Sequence, residues 1–184
     1  MKTKKIVMLT ALSLMTAGCS TPESPKVFSI EKMFSNSPAI SLGVSTIDVY
    51  NETSCDCDYE NFFAQDVEKW ARTRFLPTGS QGQAKIKVSE MKIVEHPARI
   101  IGNLVTPAKD EYRATLTVRV SVTDDLGFEK SYIENTVKRA AYVPSNISLV
   151  EREYAVRKLI TEIIVEMDGQ ISSNINNNLS YTNP

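Results

Sequence analysis

The sequence predicts an α+β domain of order β-α-β-β-β-α. A four-stranded, mainly antiparallel sheet carries two helices packed on one face. Three observations predict it. From 112 to 122, Tyr112, Ala114, Leu116, Val118, Val120 and Val122 alternate with Arg113, Thr115, Thr117, Arg119 and Ser121, as in a strand of an antiparallel sheet covered on one side. Val156, Ile160, Ile163, Met167, Ile171 and Ile175 recur at helical spacing, which predicts a long amphipathic helix over that sheet. Phe63, Val67, Trp70 and Ala71 form a second helical stripe over about Glu60 to Phe75.

The elements follow in order. Residues 20–38 hold three prolines and several serines, a composition suited to a tether. Strand one spans Ile40 to Tyr50. Ile40, Leu42 and Val44 share one phase, and Ile47 and Val49 take the other, which predicts a bulge near Ser45 and Thr46. Residues 51–60 are polar and form a loop. Pro77 and Gly79 end the first helix. Trp70, the sole tryptophan, lies on the apolar stripe and is assigned to the core.

Strand two covers Ala84 to Val94, and a phase change at Met91 and Ile93 again predicts a bulge. Residues 96–110 form a loop that is long for a hairpin and carries Ile100, Ile101, Leu104 and Val105. Long loops are where contacts tend to be made. These four are candidate partner-contact residues, with packing onto the domain as the alternative. "TDDLG", 123–127, supplies a turn in which Asp124 and Asp125 are turn formers. Strand four runs from about Glu129 to Tyr142, with Ile133, Val137, Ala141 and Val143 inward. Ser148 and Glu151 match the S-x-x-E capping box that opens the last helix. Residues 177–184 are a polar tail.

The N-terminus has a different character. Lys2, Lys4 and Lys5 precede a mostly apolar run from Ile6 to Met15, followed by Thr16, Ala17, Gly18 and Cys19. The run is too short for a bilayer, which needs about 20 apolar residues, and has the layout of a secretory signal. The small residues run directly into a cysteine. That resembles the lipobox of bacterial lipoproteins, which implies acylation of Cys19 and cleavage before it. The expected organisation is a signal peptide at 1–18, a lipidated cysteine and flexible tether at 19–38, the α+β domain at 39–176, and the tail at 177–184. By analogy with enterobacterial sorting, Ser20 points to the outer membrane, periplasmic face. Palmitate-type chains would hold the protein on that membrane.

Composition narrows the function classes. Cleavage before Cys19 leaves 18 basic and 22 acidic residues, a balance that offers no basic face suited to nucleic acid. Cys55 and Cys57 in "TSCDCDYE" could pair as a disulfide, remain thiols, or hold a small molecule or soft metal with Asp56 and Asp58. The only histidine, His96, lies far away in sequence, so nearby residues do not complete a four-ligand zinc site. No glycine-rich phosphate loop, HExxH or nucleophile motif is present. The expectation is a protein without catalytic residues, metal or cofactor, whose partners are a membrane and an envelope protein.

Two families share the pattern. "DEYRATLTVRVSVTDD", the polar strand after it and the helix opening at "SLVEREYAVRKLI" resemble the LptE-type lipopolysaccharide-assembly lipoproteins. "CSTPESPKVFSI" resembles the post-lipobox segment of PqiC-type auxiliary lipoproteins of lipid-transport systems. Here "STPES" stands where LptE-type chains carry Gly-aromatic-x-Leu. The resemblance implies a lipid-anchored accessory subunit of an envelope complex, in lipid or lipopolysaccharide transport or assembly.

Overall fold

The computed structural model describes residues 29–53, 59–103 and 107–178. The elements are α1 (Ile30–Phe34), β1 (Ile40–Leu42), β2 (Thr46–Asn51), α2 (Glu60–Arg74), β3 (Phe75–Pro77), β4 (Gln83–Ile100), β5 (Lys109–Thr123), β6 (Glu129–Pro144) and α3 (Leu149–Asn178). The main sheet has the order β2-β4-β5-β6, and β1 and β3 form a separate two-stranded parallel pair. The class is α+β, and the sheet is mixed: β2 runs parallel to β4, while β4-β5 and β5-β6 are antiparallel. The β2-β4 pair is parallel because α2 carries the chain back to the starting end, as such connections require.

Three expectations are corrected. Among the described residues the order contains three helices and six strands, not two and four. The single strand expected over Ile40 to Tyr50 divides into β1 and β2, which enter different sheets. The phase change there marks this break: Val44 N–H bonds to the Leu42 carbonyl at 2.7 Å, and Ser45 N–H reaches Gln81 and Gly82. The expected tether gives up residues 30–34 to α1, whose Ile30 and Phe34 are buried. Five residues cannot hold a helix in isolation. Packing on α2 and the Ser29 cap, which accepts from Lys32 N–H, hold this one.

The alternating strand behaves as read. Tyr112 through Val122 on the even positions are buried, and the long helices α2 and α3 cover that face. The β4 register shifts between Val88 and Glu90, where the phase of its apolar residues changes. The stripe from Val156 to Ile175 is fully inside. Ser148 Oγ accepts from Glu151 N–H at 3.3 Å while Ser148 N–H donates to Glu151 Oε2 at 2.9 Å, completing the capping box. Asp124 Oδ1 accepts from the amides of Leu126 and Phe128, so it builds the turn.

Between the helices lies a buried polar junction. Trp70 Nε1 donates to Asp168 Oδ1 at 2.8 Å. Arg74 meets both carboxylate oxygens, Nε to Oδ1 at 2.6 Å and Nη2 to Oδ2 at 3.1 Å. Nη1 of Arg74 also donates to the Pro38 carbonyl, and its guanidinium lies over the Phe34 ring. One ion pair therefore ties α1, α2 and α3 together.

One geometric feature places the site. The pairing of β2 with β4 stops at Asn51 and Val88, but β4, β5 and β6 run on to Ile100, Lys109 and Pro144. These three strands make an overhang beyond β2. Among the described residues, no helix is long and apolar enough to cross a membrane.

Candidate functional site

The end of the overhang holds an unusual density of buried charge. Asp110 has an even number, so it shares the inward phase of Tyr112. Its Oδ1 accepts from Ala98 N–H at 2.8 Å and Ser145 Oγ at 2.7 Å, and its Oδ2 lies 3.2 Å from Arg152. Ala98 has φ 49, a left-handed backbone that costs a non-glycine residue about 1–3 kcal/mol. The bond to Asp110 stabilises that conformation. The Ala98 amide, the Ser145 hydroxyl and the Arg152 charge, with burial opposing, hold the Asp110 carboxyl below its usual range.

Arg152 extends the network from the first turn of α3. It donates to Glu95 Oε1 at 2.9 Å, to Tyr112 Oη at 3.0 Å and to the Ser145 carbonyl at 3.3 Å. Burial and the adjacent Glu95 push the Tyr112 phenol up to about 12. Ser145 N–H also reaches the Ala108 carbonyl at 2.8 Å. One carboxylate and one guanidinium thus pin the end of β4, the start of β5 and the β6-α3 connection.

Glu111 does the same on the opposite face. It is buried, and its Oε1 accepts from Arg113 Nε and Tyr142 Oη, each at 3.0 Å. Oε2 accepts no hydrogen bond among the described residues and faces Arg99 Nε at 3.6 Å. Burial pushes this carboxyl up. The bonds from Arg113 and Tyr142 and the charges of Arg113 and Arg99 outweigh it, and the net shift is downward. Both acids therefore stay charged at neutral pH. In chemical terms they hold position and charge.

On this mount sit two of the four residues singled out in the 96–110 segment. Ile100 is 43% and Ile101 90% exposed; Leu104 and Val105 lie outside the described residues. Much of the expected loop is strand, since β4 continues to Ile100 and β5 begins at Lys109, with an irregular register from His96 to Ile100. The pinned amide of Ala98 is the physical reason. Cys19 and the Cys55–Cys57 pair also lie outside the described residues. Sequence reading missed Asp110, Glu111 and Arg152. The available signal was Asp110, an acid on the inward phase of a strand whose other inward residues are apolar.

No family model matches this chain, and no curated protein matches it. Similar solved structures include a minor lipoprotein from Acinetobacter baumannii, at 15% identity and TM-score 0.44, covering 72% of this chain and 94% of that one. An uncharacterized lipoprotein B from Nitrosomonas europaea has 10% identity and TM-score 0.44, covering 76% and 86%. A rare lipoprotein B from Shewanella oneidensis has 11% identity and TM-score 0.39, covering 72% and 99%. At such values the likeness fixes neither ancestry nor function.

Proposed function

We propose that this protein is a lipid-anchored, non-catalytic accessory subunit of a bacterial envelope complex, and that it engages an envelope component through the Ile100–Ile101 end of the overhang. The observation that carries the reading is the exposure of these two isoleucines on a mount of buried charges. Leaving an apolar tip in water is unfavourable, and fixing it with Asp110, Arg152 and Glu111 suits a surface that must meet something. The lysine-rich start, short apolar run and Cys19 support anchoring at the outer membrane, periplasmic face. An anchored domain is confined to the membrane plane, so its effective concentration is high and a modest contact suffices. Lipid or lipopolysaccharide transport is the process we assign it to, on the pattern shared with accessory lipoproteins.

Two measurements test this. The intact mass of the mature protein should show an acylated Cys19 as first residue; an unmodified thiol removes the anchor. A photo-crosslinker at Ile101, in cells, should give a defined envelope adduct that the same probe at exposed Val165 on α3 does not. Indistinguishable adducts from the two positions would sink the assignment of the working end.

A further inference from the structure

The uncovered face of the sheet has two electrostatic halves. Beside β2, cations are matched by acids: Lys87 pairs with Glu52 and Arg119 with Glu129, Lys85 stands opposite Asp48, and Glu134 shares that half through the strand register. The overhang differs. Across β4, β5 and β6, Lys92, Thr115 and Lys138 form one row, Val94, Arg113 and Ala140 the next, and His96, Glu111 and Tyr142 the third. Lys109 lies two residues before Glu111 and so shares its face. Arg99 closes over Glu111 from the strand end. Five cations thus stand against two carboxylates, the buried Glu111 and Glu90, which lies just past Val88 where the overhang begins. Lys92, Lys109 and Lys138 form no ion pair among the described residues. The whole chain carries a formal charge of −1, so this face concentrates positive charge against the general balance.

The N-terminal end of α1 lies toward the same end of the sheet. Glu31 of α1 lies 3.7 Å from Lys69, and Phe34 lies under Arg74. α1 therefore runs alongside α2 in the same direction, and its N-terminal end, at Ser29, is the end nearer the first turn of α2. There Tyr59 meets Tyr112 of the overhang edge-on, with ring centroids 6.4 Å apart. The ten residues 19–28 span at most about 33–36 Å. A lipid on Cys19 keeps the overhang within reach of the bilayer.

We propose that the basic overhang docks on anionic phospholipid headgroups of the bilayer that holds the anchor, with Ile101 entering the acyl boundary beside it. This rests on the anchored reading above and names the chemistry met by the Ile100–Ile101 end. Phosphate charge matches the unpaired lysines. The exposed isoleucines match the apolar layer below, which is the combination interfacial binders use.

The test uses the mature lipidated protein carrying Ile101→Trp, reconstituted into phosphatidylcholine vesicles with and without phosphatidylglycerol. Brominated acyl chains serve as quenchers. Trp70 is fully buried and gives a constant background that also reports an intact fold. The new tryptophan should be quenched in the anionic vesicles. That quenching should be lost in neutral vesicles, at high salt, and in the Lys92→Glu/Lys138→Glu variant. Equal quenching in both vesicle types, or none in either, overturns the proposal while flotation with the vesicles keeps the anchor intact. Failure to float removes the anchor and the proposal together. Ile101 adducts with protein alone, without anionic quenching, assign this end to a protein and overturn the lipid contact only.

Discussion

Removing the carboxylate of Asp168 should be among the most damaging single changes in this domain. Asp168 and Arg74 are 9% and 4% exposed, and Asp168 accepts two bonds from Arg74 and one from Trp70. In Asp168→Ala the guanidinium stays buried and, among the described residues, keeps only the Pro38 carbonyl and Ser172 Oγ as hydrogen-bond partners. A buried charge stripped of its partner costs about 3–5 kcal/mol, a large part of the roughly 5–15 kcal/mol that a domain has. With a urea slope of about 2 kcal/mol per molar, the unfolding midpoint should fall by roughly 1.5–2.5 M. Trp70 is the sole tryptophan and is fully buried, so its emission follows the transition without a label. The double variant Arg74→Met/Asp168→Leu removes both charges and should recover most of the loss, because apolar replacements of buried pairs are often neutral. A midpoint shift below about 0.5 M in Asp168→Ala, or a double variant worse than the single one, would refute the claim that an unpaired buried charge is what hurts.

Two further outcomes follow from local geometry. A Cβ on Gly79 would stand 2.4 Å from the Gly43 carbonyl carbon and oxygen, so Gly79→Ala should cost about 1–3 kcal/mol. Gly169→Ala, which meets nothing within 4 Å on α3, should gain about 0.5–1 kcal/mol from helix propensity; the two thermal melts should move in opposite directions. Tyr112 is held protonated to about 12 in the folded state, against 10 as its ordinary value. The unfolded chain loses that proton first, so the contribution is whole below pH 10 and falls as pH rises toward 12. Urea midpoints measured on either side of pH 10 should decline with pH, and Tyr112→Phe should flatten that decline.

The parts legible in the sequence were those decided by near neighbours. The alternation of 112–122 and the Ser148–Glu151 box are settled within a few residues, and both stand as read. Residues 40–50 were not legible in the same way. A phase change reports that side chains swap faces. Whether the strand bulges or breaks depends on Phe75–Pro77, which pairs with Ile40–Leu42 from far along the chain. α1 has too few residues to show a period, and its stability comes from α2. At the site, Ile100 and Ile101 were visible as apolar residues in a polar segment. Their mount was not, because Asp110 finds Ala98, Ser145 and Arg152 only after three elements converge. The basic overhang was hidden for a related reason. Its cations are scattered along four stretches, and composition averaged them against acids that sit elsewhere.

The junction at Arg74 also fixes how a mechanical load would travel. Tension on the chain preceding Ser29 enters at α1, and Pro38 hands it through Arg74 to Asp168 in the longest helix. That path bypasses the overhang, which hangs from the other end of α3 through Arg152 and Asp110. α1, five residues seated by Ile30 and Phe34, is the weakest link along it. Under a pull it should peel away first and lengthen the leash while the sheet and its charged end keep their shape.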